Sequence, residues 1–268
     1  MPLKTRLLFL ATLAAASPLG AQRGTKPLDS STGRIMFAVW ESFADAAGRT
    51  RVALHVSTEK GVRCYAPLGA RVSARRDTIV VDRWHLADNH GICLDDSSDN
   101  PAGTVSFPLE EGRRVLAIAH LGTVDRYRLV VTSSAIRVAP IGVPRVSVLT
   151  DATPLWRFPR NALALRCDTG EHTSWACAEV EHLISDDPGL VAIDFPAGGR
   201  NPFNRFRPED GGDRRDAVRY YRVATPASFD RLVRGVQRLH DAYAGRQVDF
   251  GVSIQTWTGR KWHNESAR

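Results

Sequence analysis

The sequence predicts a two-domain chain, an all-β sandwich followed by an α+β domain. Three observations carry this expectation. Residues 34–140 hold about seven to nine short runs of alternating or β-branched apolar residues, each closed by turn residues, with no helical period of useful length. Past the prolines at 140 and 144 the pattern changes, and two apolar stripes with helical spacing appear, at 174–185 and 225–245. Each stripe lies between strand-like runs, and a long irregular stretch separates the two strand–helix–strand units.

In chain order, residues 1–21 read as a signal peptide. Lys4 and Arg6 form a basic start, Leu7–Ala16 is apolar, and Ser17-Pro18-Leu19-Gly20-Ala21 offers a cleavage region. The apolar run is about ten residues, short of the ~20 that span a bilayer, and no Cys follows it as a lipid attachment site. The expected mature chain starts at Gln22 and is exported to the periplasm or the exterior. Residues 22–33 are polar and punctuated, and are expected to form a flexible lead.

The sandwich is expected over 34–140. Ile35, Phe37 and Val39 alternate in Arg34–Glu41, and Val52, Leu54 and Val56 do so in Arg51–Thr58. Thr78–Trp84 and Thr104–Pro108 are further strand-like runs. Arg113–Leu121 and Asp125–Thr132 flank Gly122-Thr123 as a hairpin, with Tyr127, Leu129 and Val131 on one face and Arg126 and Arg128 on the other. Ala135–Ala139 follows. Residues 141–145 are expected to be a linker, stiffened by Pro144.

The second domain is expected over 146–268. Strands at Ala162–Cys167, Leu190–Phe195, Ala217–Ala224 and Gln247–Thr258 alternate with helices at Ser174–Ser185 and Thr225–Gly245. In the first helix Trp175, Cys177, Val180, Leu183 and Ile184 are available for an inner face. In the second, Thr225 caps, Pro226 opens, and Phe229, Leu232, Val233, Val236, Leu239 and Tyr243 form the stripe. Val146–Leu149 is read as a further strand joining the halves.

The first domain is immunoglobulin-like at most. Cys64, Cys93 and Trp84 do not have the spacing of the immunoglobulin inter-sheet bridge, so the sequence implies a generic sandwich, and Asp125-Arg126-Tyr127 is given no weight as a tyrosine corner. The βαββαβ order of the second domain is that of the ferredoxin-like plan.

Export places the four cysteines where pairing is the default. The expected bridges are Cys64–Cys93 and Cys167–Cys177, each within one half of the chain, worth roughly 3–4 and just under 3 kcal/mol by loop closure. The formal net charge is +7, and falls to +5 once Lys4 and Arg6 leave with the signal peptide. Arginine outnumbers lysine 32 to 4, which reads as coding bias, so a scattered basic excess is no argument for nucleic acid.

Chemistry has few carriers in this sequence. His85, Asp88 and His90 are weak zinc candidates in a turn-rich loop, with a spacing that matches no ligand signature. Asp95, Ser97 and Asp99 start like a calcium loop but lack its glycine and its final Glu. Glu179 and His182 make a single E-x-x-H on an exposed helix face. His120 is expected to be a wall residue of its strand. There is no G-x-S-x-G elbow and no phosphate loop, and no cofactor is expected. The long stretch Pro196–Asp216 interleaves Phe203 and Phe206 with Arg200, Arg205 and Arg207, a combination suited to contact with a protein or a cell-wall glycan. The sequence therefore leads to an exported non-catalytic binding protein, with no nucleic-acid partner and no membrane span. The alternative is a secreted hydrolase or metal-dependent enzyme around His85 and His90.

Overall fold

The computed structural model describes residues 25–42, 50–63, 67–87, 98–108, 110–169, 174–202, 218–244 and 250–263. The first half contains β1 (Thr25–Pro27), a single 3-10 turn at Ser30–Thr32, β2 (Ile35–Ser42), β3 (Arg51–Thr58), β4 (Val62–Arg63), β5 (Leu68–Arg75) and β6 (Thr78–Ala87). It continues with β7 (Ser98–Asp99), β8 (Ala102–Pro108), β9 (Gly112–His120), β10 (Thr123–Val131), β11 (Ala135–Ile141), β12 (Ser147–Leu149) and β13 (Leu155–Trp156). One sheet runs β1-β6-β9-β10-β11-β13, with β5 on the other edge of β6; a second runs β12-β2-β3-β8; β4 and β7 pair separately.

Alternation decides what each strand buries. Phe37 and Val39 on β2, Leu54 and Val56 on β3, and Val105 and Phe107 on β8 join Leu116, Ile118, Tyr127, Leu129 and Ile136 of the larger sheet in one buried cluster. Phe37 meets Tyr127 edge to face at 4.9 Å, a favoured geometry for two rings. Where the sheets meet at one corner, backbones nearly touch: a Cβ on Gly103 of β8 would lie 1.9 Å from the Leu68 carbonyl oxygen of β5.

Strand β6 changes partner midway. Residues 78–81 pair with β9 in parallel, and residues 85–87 pair with β1. Between them the register against β5 slips between Gly69 and Arg71, and Arg83 takes φ +53. This is a bulge, one extra residue that bends the strand and resets the alternation. It turns Trp84 inward, and its indole N–H donates to the Ala119 carbonyl at 2.8 Å, just past the last β6–β9 pair.

After β11 the chain turns at Gly142 (φ +83) and crosses to the second sheet, where β12 pairs parallel with β2. Asp125 anchors this crossing. Its carboxylate accepts the backbone N–H groups of Arg145, Val146 and Ser147 at 2.9, 2.8 and 2.7 Å, and the Ser147 hydroxyl at 2.7 Å. The Tyr127 hydroxyl lies 2.9 Å from Ser147 Oγ. Burial pushes the Asp125 carboxyl up, but these four donors outweigh it and hold the group below its ordinary range. Asp125 and Tyr127, given no weight in the sequence, are thus the pair that ties the sheets together at this crossing.

The second half holds β14 (Ala162–Thr169), α1 (Ser174–Ser185), β15 (Leu190–Ala192), β16 (Arg219–Val223), α2 (Pro226–Ala244), β17 (Phe250–Thr256) and β18 (Lys261–His263). Its sheet runs β15-β16-β14-β17-β18, antiparallel throughout. Leu163 and Leu165 join Val180, Ile184, Phe229, Leu232 and Val236 of the helices in one cluster. Ala162, Ala164 and Tyr220 pack on Phe158 in another. Of the α2 stripe Phe229, Leu232, Val236 and Tyr243 are buried and Val233 and Leu239 partly so, and the Ser228 N–H donates to Thr225 Oγ1 at 3.4 Å. The inner face of α1 differs from the expectation. Ala176 takes the buried position and Trp175 stays 42% exposed, its ring set against Tyr243 at 4.9 Å. Cys167 and Cys177 sit at disulfide distance, Cα to Cα 5.9 Å, pinning β14 to α1. Cys64 and Cys93 lie outside the described residues.

Candidate interaction surface

The inward alternation of the larger sheet dictates an outward face. On β10 the buried residues are Asp125, Tyr127, Leu129 and Val131, so Val124, Arg126 and Arg128 point out. Cross-strand pairing sets their neighbours. Arg126 lies between Ala117 of β9 and Ile141 of β11, and Arg128 lies between Val115 and Ala139. Val130 is flanked by Arg113 and Arg137. The face continues through Thr78 and Val80 of β6 to Ser73 and Arg75 of β5.

The result is a sheet face with arginines standing among Ala, Val and Ile side chains. Residues two apart on a strand are about 7 Å apart and neighbouring strands about 5 Å, so these guanidinium groups share one patch. The acid on this face is Asp82, and it is taken up by Arg71 at 2.7 Å; that bond, ahead of burial, which works the other way, holds Asp82 below its ordinary range. Among the described residues no carboxylate pairs with Arg113, Arg126, Arg128 or Arg137.

One end of the face is apolar. The β9–β10 hairpin turns on Leu121-Gly122, with φ +50 and +76, one residue earlier than the expected Gly122-Thr123. Positive φ at both central residues is a type I′ feature that favours Asn and Gly, and a leucine there is uncommon. Leu121 is 53% exposed, Val124 49%, Ile141 46% and Val143 87%. Register brings three of them to one end: Leu121 sits in the turn just past the last β9–β10 pair, Thr123 with His120, and Ile141 pairs with Arg126, two residues along from Val124; Val143 follows two residues past the end of β11. His120 is the wall residue expected, buried below the tip. Burial holds its pKa down, ahead of the Gly33 backbone, which works the other way.

The residues singled out in the sequence fall elsewhere. Arg200 faces inward. Its guanidinium pairs with Asp151 at 2.9 Å, donates to the Val39 carbonyl at 3.1 Å and stacks 5.3 Å over the Trp40 ring. Phe203, Arg205, Phe206 and Arg207 lie outside the described residues, as do Asp88 and His90. His85 borders a groove of about 650 Å³ with Arg71, Arg83 and Trp84. Its Nδ1 lies 3.1 Å from the Arg83 carbonyl oxygen, and its ring covers Gly69, where a Cβ would come within 2.5 Å of Nε2. Among the described residues no three His, Cys, Asp or Glu side chains converge as a metal site. A second groove, about 510 Å³ between α1 and α2, is lined by Arg231, Arg234 and Arg238 but also by Asp186 and Asp187. There Arg231 holds Asp187 in two 2.9 Å bonds, so its charge is partly balanced.

The surface that sequence reasoning missed is assembled by register. Arg126 and Arg128 were legible as outward-pointing, but their meeting with Arg113 and Arg137 depends on pairing across three strands. The chain is a predominantly β protein of several sheets, with 53% of the described residues in strands against 17% in helices, and no helix among the described residues is long and apolar enough to cross a membrane. No protein-family model, no curated protein and no solved structure matches the chain.

Proposed function

We propose that this is an exported, non-catalytic binding protein of the cell envelope or secreted fraction, and that the outer β5–β6–β9–β10–β11 face is its contact surface for an anionic partner. The observation that carries the reading is the set of Arg113, Arg126, Arg128 and Arg137 on one sheet face without a carboxylate partner among the described residues. Guanidinium groups spend nothing on breaking internal ion pairs when they meet carboxylate, sulfate or phosphate oxygens, and their forked donors take such groups in pairs. The expected signal peptide at 1–21 supports export.

The same proposal takes the chain as a generic β-sandwich followed by a ferredoxin-like α+β domain. The strand order β15-β16-β14-β17 is the order that plan requires and supports it. Because β12 and β13 pair with β2 and β11, we place the boundary near 157–161 and not at the 141–145 segment.

The test uses the chain from Gln22 onward on immobilised heparin as a polyanion probe, with elution by salt. The wild type is expected to be retained. R126S/R128S/R137S is expected to lose about tenfold or more in apparent affinity at fixed salt, with a shallower salt dependence. Its unfolding curve should match the wild type, since exposed substitutions shift stability by only about 0.5 kcal/mol. Equal retention of wild type and triple variant would overturn the assignment of the face. A loss on deleting 203–210 in place of the triple substitution would transfer the function to the loop.

A further inference from the structure

We infer that the anionic partner of this face is a lipid surface, engaged by the apolar tip of Leu121, Val124, Ile141 and Val143 while Arg126 and Arg128 take headgroup phosphates. The inference rests on the proposed contact face and deepens it. Two features meet at the same end of one sheet: the exposed aliphatic side chains of Leu121, Val124 and Ile141, followed by Val143 just past the end of β11, and the arginines that neighbour Val124 and Ile141 in the register. Exposed aliphatics gathered at a tip are a cost in water and mark a surface that is covered in use. A bilayer interface accepts aliphatic side chains just below a layer of phosphates, and this end offers aliphatics and arginines side by side.

Other occupants fit less well. The outward residues of β9, β10 and β11 in this patch are Arg, Ala, Val and Ile, with no aromatic ring for a sugar or a nucleobase to stack on. A second copy bringing the same arginines would meet like charge. Leu121 adds a further pointer: it occupies a left-handed turn position, φ +50, where Asn or Gly is unstrained, and strain of this kind gathers at functional sites.

The inference is tested by co-sedimentation of the chain from Gln22 onward with vesicles of phosphatidylcholine alone and of phosphatidylcholine with about a third phosphatidylglycerol. Binding is expected to the second and not to the first. L121N/V143S is expected to reduce that binding about tenfold or more while keeping the wild-type unfolding curve, because Asn suits the turn better than Leu. Wild type that is retained on heparin but ignores both vesicles sinks the lipid inference and leaves the anionic-partner reading standing. Failure on both probes sinks both. Vesicle binding unchanged in L121N/V143S, or concentration-dependent self-association abolished by it, also overturns the inference.

Discussion

Replacing Asp125 by alanine is expected to lower the stability of the folded chain by about 3–5 kcal/mol. The substitution leaves three backbone N–H groups, of Arg145, Val146 and Ser147, and the Ser147 hydroxyl without their shared acceptor. Each unsatisfied buried donor costs about 1–3 kcal/mol, and the hydroxyl recovers part of its share by turning to Tyr127. The loss falls on the crossing that brings β12 to β2, so the two sheets loosen where they are joined. Urea unfolding at neutral pH measures the effect, and a change below about 1 kcal/mol would contradict it. The pH dependence follows from the depressed pKa. The contribution of Asp125 is complete above its ordinary value of 3.8 and is lost as pH falls through the lower folded value. Wild type and D125A are therefore expected to converge in stability at the acid end.

Arg157→Ala is expected to cost about 3–5 kcal/mol at pH 7, because it strands a buried carboxylate. Glu41, its side chain 3% exposed, accepts Arg157 Nε at 3.2 Å and the Phe158 N–H at 2.7 Å. Arg157 also donates to the Thr132 carbonyl at 2.8 Å. The cluster joins the end of β2 to the segment that leads into β14. Burial raises the Glu41 pKa above its ordinary 4.5, against the Phe158 N–H and the Arg157 charge, which work to lower it. A raised carboxyl pKa means that the folded form binds its proton more tightly than the unfolded form. Stability from this group is therefore gained as pH falls through the folded value towards 4.5, and lost as pH rises. Without Arg157 this dependence steepens, so R157A should recover part of its deficit in mildly acidic buffer. The double variant E41Q/R157M should be more stable than R157A, since it keeps an acceptor for Phe158 and buries no charge. Denaturation of all three at two pH values checks both points, and an R157A deficit that grows on acidification would contradict them.

The elements legible in the sequence are those whose burial repeats at a fixed period. Arg51–Thr58 and Ser174–Ser185 have the expected bounds, and α2 starts at Pro226 and ends at Ala244, inside the expected stretch. Strand β5 left no such trace. Gly69, Ala70 and Ala74 give it little apolar contrast, and only Leu68 is fully buried, as befits an edge strand whose outward side chains face water. Trp175 reads as one of five residues available for an inner face, whereas α1 buries the small Ala176 and leaves the indole 42% exposed. Long-range partners were out of reach of any local pattern. Asp125 meets donors 20–22 residues away, and Arg200 meets the carbonyl of Val39 across 161 residues. Arg200 read as a displayed donor because its neighbours are loop residues, but the nearby carbonyl, carboxylate and indole ring hold it inward. The face arginines were visible singly and became a site only through register.

The arginines of the outer sheet face are expected to be open to reagent in the isolated protein and covered once its partner binds. Modification by an arginine-selective dicarbonyl reagent, mapped by peptide mass spectrometry with and without heparin, tests this directly. Arg126, Arg128 and Arg137 should react quickly alone and slow about tenfold with heparin present, while Arg157 and Arg200, with side chains 16% and 14% exposed, stay slow in both. Unchanged reactivity of Arg126, Arg128 and Arg137 on adding heparin, or protection of Arg234 and Arg238 on α2 in their place, would contradict the account.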